Sequence, residues 1–203
     1  PDLVILPGTK NTMEDLLWLR QNGLEAAALK LAHAGTPILG VCGGYQMLGQ
    51  TLDDPQGTES GRPMALSGLG LLPTRTVFDA QKRRMQVRAA AQGELFGGAR
   101  LTGYEIHNGR TEVGGAPFCM LEDGTPEGCV NQNVFGTYLH GLFDSGELTG
   151  ALVRMLCARK GISPTQTQLM SMADYRQQQF DLLADGVRQA LDMGAVYRAI
   201  NMA

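Results

Sequence analysis

Two short apolar runs do most to limit what this chain can fold into. Leu3-Val4-Ile5-Leu6 stops at Pro7-Gly8, and Pro37-Ile38-Leu39-Gly40-Val41 stops at a cysteine. Each has the length and composition of a strand buried on both faces that ends in a tight turn. Between them Leu16, Leu17, Leu24, Leu29 and Leu31 fall in a helix-compatible stretch closed near Gly35 and Pro37. Thr12, with Asp15 three residues on, reads as its capping box, Asp replacing the usual Glu or Gln, and Gly23 is placed to break the stretch in two. Strand, helix, strand is the unit of a parallel sheet with a right-handed crossover, so the spacing predicts an α/β fold.

The segment from Asp53 to Pro63 is rich in Gly, Pro and polar residues and reads as a loop. Beyond it Thr74 to Phe78, Met85 to Ala91, Gly103 to Val113 and Val134 to Leu139 have strand-like composition, with glycines between them that suggest turns. Glu147 to Lys160 and Ala173 to Ile200 have helical periodicity, the second with Phe180, Leu183, Val187, Leu191 and Val196 on or near one face. No repeat, low-complexity tract or linker divides the 203 residues, which suffice for one domain with a sizeable core. The chain begins with Pro1 rather than Met and enters a strand almost at once, the expectation for part of a longer protein.

Lys and Arg total 17 against 20 for Asp and Glu, a formal charge of −3, so no basic excess supports a nucleic-acid interface. No apolar run approaches the roughly 20 residues that cross a bilayer. Four cysteines (Cys42, Cys119, Cys129, Cys157) without a C-x-x-C pair, and no signal peptide, give the expectation of a reducing, cytoplasmic setting. No two of the three histidines share helix spacing, and no metal site is expected.

The chemistry concentrates in Gly40-Val41-Cys42-Gly43-Gly44-Tyr45-Gln46-Met47-Leu48-Gly49, which follows a buried strand and opens an amphipathic stretch. That is the form of a nucleophile elbow. A nucleophile on a sharp strand-to-helix turn sits in a strained backbone conformation, and Gly40 and Gly44, two residues either side, let the turn close. A thiol at a helix start also meets free N–H groups that favour thiolate. A lone cysteine is more often a small buried residue, but the flanking glycines and the strand reverse that judgement here. The general base is then sought among the histidines. His140 follows the strand-like Phe135 to Leu139 and precedes Gly141, so it emerges at a strand end, where active sites gather in doubly wound sheets. It is favoured over His107, which either contacts substrate or bonds neighbouring backbone. His33 reads as an exposed helix-end residue. An oxyanion hole takes one N–H from Gly43 and a second from Gly8, at the end of the neighbouring strand. No G-x-x-x-x-G-K-[ST] occurs, so no ATP site is expected.

Four ordered segments, Pro7-Gly8-Thr9-Lys10-Asn11-Thr12, the Cys42 elbow, Gly103-Tyr104-Glu105-Ile106-His107 and Tyr138-Leu139-His140-Gly141, resemble the C-terminal glutamine amidotransferase domain of the cobyric acid synthase family. The elbow alone points to the class I amidotransferase superfamily. Asp54-Pro55 to Glu59-Ser60 and Gly68-Leu69-Gly70-Leu71-Leu72 favour the cobyric acid branch over the related diamide synthases. The resemblance implies a flavodoxin-like three-layer sandwich, with a largely parallel central sheet and flanking helices, over residues 1–203. It further implies that Cys42 attacks the side-chain amide of glutamine and His140 relays protons. Gly8 and Gly43 would form the oxyanion hole, Gln46 would help hold glutamine, and His107 and Asn108 would belong to the substrate pocket. By the same resemblance, an N-terminal synthetase domain activates corrin carboxylates with ATP and magnesium, and this domain carries no cofactor.

Two departures stand out. Triad amidotransferases carry His-Pro-Glu, whereas this chain reads His140-Gly141-Leu142, so the acid that orients the imidazole is missing from its place and Glu105 becomes the candidate substitute. The resembling domain also begins with strands ahead of Pro1, whose absence would expose a sheet edge. Two other readings stay open: the glutaminase subunit of another amidotransferase branch, and a non-catalytic docking domain that has kept the elbow.

Overall fold

The computed structural model describes residues 1–93, 96–144, 146–163 and 172–201. In chain order it runs β1 (Val4–Leu6), α1 (Thr12–Gln21), α2 (Leu24–His33), β2 (Ile38–Val41), α3 (Gly43–Leu48), β3 (Thr51–Asp54), β4 (Met64–Ser67), β5 (Thr74–Ala91) and β6 (Arg100–Val113). It continues with β7 (Cys119–Leu121), β8 (Pro126–Glu127), β9 (Cys129–Asn131), β10 (Val134–Thr137), β11 (Leu139–His140), a 3-10 turn at Leu142–Asp144, α4 (Gly146–Arg159), α5 (Met172–Ala190) and α6 (Met193–Asn201).

The two apolar runs pair as expected. β1 and β2 are parallel, β10 lies parallel on the other side of β2, and β9 closes the sheet antiparallel to β10. Neighbouring residues of β2 point to opposite faces. Ile38 packs with Met13, Leu16, Ala28 and Ala32 of α1 and α2, while Leu39 packs with Leu148, Ala151 and Leu152 of α4. The central sheet is thus covered on both sides, which is the three-layer α/β arrangement and buries the strand that carries Cys42.

A second, mostly antiparallel sheet of order β11-β6-β5-β3-β4 stands beside the first, with β7 hydrogen-bonded onto β5 and β8 onto β7. Here the structure departs from the pattern read in the sequence. The segments 74–78 and 85–91 are one strand, β5, whose pairing with β6 shifts register between Val77 and Lys82. The segment 134–139 divides at Tyr138: Thr137 ends in the parallel sheet and Leu139 begins in the second, paired with Glu105. β3 takes Asp53 and Asp54 from the expected loop, which shrinks to 55–63, and β4 begins directly after it at Met64. The N-cap of α1 is Asn11, whose Oδ1 accepts from Glu14 N at 3.1 Å; Thr12 is helical and spends its hydroxyl on Gln46, so the expected capping box does not form. Gly23, at φ 71°, separates α1 from α2 as expected.

The expected C-terminal helix is two. Asp192 accepts from Ala195 N at 3.1 Å and recaps the chain, so α5 ends at Ala190 and α6 starts afresh. Its apolar positions Phe180, Leu183, Val187 and Leu191 are exposed, because no described residue packs over that face. No described helix is long and apolar enough to cross a membrane.

Candidate active site

Cys42 occupies the turn between β2 and α3 with φ 53° and ψ −111°, a left-handed conformation rare for a residue with a side chain. Three backbone bonds hold it there: Cys42 N to Thr137 O at 2.8 Å, Gln46 N to Cys42 O at 3.0 Å and Gly44 N to Pro7 O at 3.1 Å. The glycines are required by space. A Cβ on Gly40 would lie 2.7 Å from the Gly44 carbonyl oxygen, and one on Gly44 would lie 2.5 Å from the Leu6 carbonyl carbon and nearer still to its oxygen. Gly43 is the first residue of α3, so its N–H has no intrahelical acceptor.

His140 ends β11, paired with Tyr104 of β6, whose ring stacks on the imidazole at 5.1 Å between centroids. Gly8 lies between Cys42 and His140: a Cβ there would be 3.2 Å from His140 Cε1 and 3.5 Å from Cys42 Cβ. The structure therefore brings Cys42, His140, Gly8 and Gly43 together at the ends of β1, β2 and β11. His140 Nε2 is buried and makes no hydrogen bond, so no direct bond joins imidazole and thiol, and Cys42 Sγ lies 3.4 Å from the Ile106 carbonyl oxygen. The imidazole also bonds that carbonyl. Burial pushes the His140 pKa below its ordinary value, partly offset by the Ile106 bond, which favours the neutral, basic form.

The acid's place after the histidine is filled by Leu142, 4% exposed in the core. The candidate substitute, Glu105, falls on the other face of β6. Strand alternation turns Tyr104, Ile106 and Asn108 toward Cys42, whereas Glu105 lines a separate cavity with Glu127 and Tyr45. The group that bonds the imidazole is thus a backbone carbonyl of the same strand. Glu127 serves the site from behind. It accepts from Tyr138 N at 2.6 Å and Thr137 Oγ1 at 2.6 Å, holding the step at which the chain changes sheets just before His140. Burial drives the Glu127 pKa upward against those bonds.

A cavity of about 540 Å³ opens over Cys42 and His140, bounded by Gly8, Thr9, Lys10, Gln46, Glu59, Tyr104, His107 and Asn108. Gln46, 3% exposed, is fully engaged: Nε2 donates to Asn108 O and to Tyr138 Oη, each at 3.1 Å, and Oε1 accepts from Thr12 Oγ1 at 3.0 Å. His107 stacks on Tyr138 at 3.6 Å between centroids and borders both cavities, and Asn108 faces the Cys42 cavity. His33 is an exposed residue at the end of α2, with Nδ1 2.7 Å from Leu29 O.

Sequence reasoning places Ile106, Tyr138, Lys10 and Glu59 within its motifs but gives none of them a role in the site. Glu59 reaches the cavity because Asp54, fully buried, organises the loop beneath it. Asp54 accepts from Thr58 N, Thr58 Oγ1, Glu59 N, Ser60 N and Ser60 Oγ at 2.8–3.1 Å. Burial raises the Asp54 pKa, but the bonds from Ser60, Glu59 and Thr58 outweigh it and leave the carboxyl below its usual range. An Asp followed by Thr and Ser at plus four and plus six was the available signal for a side-chain-wound loop.

Comparison with known proteins gives the family and the fold. The family described as CobB/CobQ-like glutamine amidotransferase domain matches residues 1–148. A cobyric acid synthase of Streptococcus sanguinis is 43% identical over 211 residues, covering 99% of this chain and 41% of that protein. One from Salmonella typhimurium is 46% identical over 209 residues, covering 97% and 40%. The chain thus spans about two fifths of the length of the curated relatives it matches. Among solved structures, a glutamine amidotransferase superposes with TM-score 0.54 at 16% identity, over 79% of this chain and 80% of the other. PurLQS from Thermotoga maritima does so with TM-score 0.55 at 18% identity, over 76% and 80%; at such identities the likeness is one of fold.

Proposed function

This chain belongs to the CobB/CobQ-like glutamine amidotransferase family, and from that premise we propose that residues 1–203 are the glutaminase part of a cobyric acid synthase. The observation that carries the reading is Cys42 at φ 53° with Gly8 between it and the unbonded His140 Nε2. His140 takes the thiol proton, and Cys42 Sγ adds to the amide carbon of glutamine. The resulting oxyanion accepts from Gly8 and Gly43 N–H. His140 then returns the proton to nitrogen, the carbon–nitrogen bond breaks, and ammonia leaves a γ-glutamyl thioester on Cys42. Water, deprotonated by His140, cleaves the thioester to glutamate and restores the thiol. Gln46 and Tyr138 keep the walls of the cavity joined.

On this reading the ammonia amidates carboxylates of a corrin, adenosylcobyrinic acid a,c-diamide going to adenosylcobyric acid. ATP and magnesium act in the part of the polypeptide outside this chain, and cysteines outside any disulfide suit a cytoplasmic setting. Support comes from relatives 43% and 46% identical across nearly all of this chain. The test is Cys42→Ala in the full-length protein. It is expected to abolish glutamine-dependent amidation and retain amidation from free ammonia; loss of both activities in a folded variant would refute a dedicated glutaminase role.

A further inference from the structure

The loop from Asp54 to Ser60 distinguishes this chain's sequence, yet the amide chemistry above gives it no work. It delivers one group to the cavity, Glu59, the only carboxylate among the described residues that line it. Lys10 is the only lining side chain there with a permanent positive charge. Free glutamine carries an ammonium and a carboxylate on one carbon, three bonds from the amide carbon that Cys42 attacks. Burying that carbon's two charges is unfavourable unless each meets an opposite charge or a hydrogen bond.

We propose that Glu59 binds the α-ammonium of the substrate and Lys10 its α-carboxylate, so that this loop makes the site selective for the free amino acid. The proposal rests on the glutaminase reading and adds to it the specificity-determining residues. Glu59 Oε1 accepts from Thr12 N at 2.5 Å, the one hydrogen bond of the carboxylate among the described residues, which leaves Oε2 for a ligand. The five bonds at Asp54 fix the loop in advance, so binding need not order it. Thr12 also donates to Gln46 of α3, the helix that follows Cys42, so Glu59, Thr12 and Gln46 form one bonded chain from the head-group end of the cavity to the nucleophile's helix. Asn11 takes Glu14 N and Glu59 takes Thr12 N, so the two side chains serve different donors at the start of α1. Lys10 is exposed and makes no ion pair among the described residues, leaving its ammonium available at the rim.

The experiment alkylates Cys42 with iodoacetamide, which has no amino-acid head, and measures the concentration of L-glutamine, or of glutaramate, its analogue without the α-amino group, that halves the rate. Glu59→Gln keeps an acceptor for Thr12 N and loses the charge. It is expected to raise the glutamine midpoint roughly 10- to 100-fold, the range for a hydrogen bond to a charged group, while moving the glutaramate midpoint less than about 3-fold. Lys10→Met is expected to raise the glutamine midpoint about 2- to 5-fold, as for an exposed ion pair. An unchanged glutamine midpoint in Glu59→Gln, or equal shifts for both compounds, overturns the subsite while leaving the glutaminase reading intact. Failure of glutamine to protect the wild-type thiol overturns both.

Discussion

Gly44 of α3 and Gly186 of α5 both sit inside helices, and the same substitution is expected to move them in opposite directions. Ordinarily Gly→Ala within a helix stabilises by about 0.5–1 kcal/mol, because alanine has less freedom to lose. Gly186 in α5 has nothing within 4 Å of an added Cβ, so Gly186→Ala should realise that gain. At Gly44 the added carbon would lie 2.5 Å from the Leu6 carbonyl carbon and 2.8 Å from Leu6 Cβ, where carbon contacts settle at about 3.5–4.0 Å. Something must move by about 1 Å, and neither side yields easily: Leu6 is paired with Gly40 in the parallel sheet, and Gly44 N bonds Pro7 O. Overpacking of this kind costs about 1–3 kcal/mol, and the strained Pro7 bond adds about 0.5–1.5 kcal/mol. After the alanine gain is subtracted, Gly44→Ala should lose about 0.5–4 kcal/mol. Urea unfolding followed by far-ultraviolet circular dichroism reads both variants, with the midpoint falling for Gly44→Ala and rising for Gly186→Ala at unchanged slope. A Gly44→Ala protein as stable as wild type would refute the claim that elbow closure demands glycine there.

The pH dependence follows from His140. On the proposed chemistry its working form is the neutral imidazole, and burial holds its pKa below 6.5, so the acid limb of kcat/KM for glutamine hydrolysis should fall below pH 6.5; a midpoint above that value would contradict a buried base. The same sign applies to stability: the unfolded imidazole protonates first, so its contribution is complete above 6.5 and shrinks as pH falls toward the folded pKa. Glu127→Ala should destabilise by about 2–4 kcal/mol, because it leaves the buried Tyr138 N–H and Thr137 hydroxyl without their acceptor. Its urea midpoint checks the loss, and a shift worth under about 0.5 kcal/mol would show that the carboxylate is not what holds the sheet-to-sheet step.

What was legible in the sequence was what local chemistry decides. β1 and β2 were readable because a strand buried on both faces is a short unbroken apolar run, and the elbow because Gly40 and Gly44 have no other reason to flank a cysteine so closely. The second sheet was less readable. Its strands are half-exposed and paired across long separations, so 74–78 and 85–91 looked like two strands when pairing with β6 makes them one. Tyr138 as the point where the chain changes sheets leaves no local mark either, because its acceptor Glu127 is fixed by tertiary placement. The apolar stripe of the C-terminal segment was correctly periodic, but periodicity gives a face and not its cover.

The missing acid after His140 makes sense in terms of β6. A triad carboxylate both orients the imidazole and stabilises the imidazolium that forms when the thiol is deprotonated. The Ile106 carbonyl can do the first as well, because its position is set by the β6–β11 ladder, in which His140 pairs with Tyr104 two residues away. It does the second poorly, since it brings a dipole where the carboxylate brings a full charge. Burial depresses the His140 pKa, and the bond to the Ile106 carbonyl offsets that only in part, so the imidazole stays neutral. On the proposed chemistry, the oriented but uncharged partner should let glutamine bind and the thioester form, with proton transfer as the slow part. Placing an acid at Leu142 would not repair this, because that side chain is 4% exposed in the core against α4, and a carboxylate there would be buried without a partner. The orienting function has therefore passed to a strand that also builds the wall of the cavity, which ties the pose of the base to the integrity of β6.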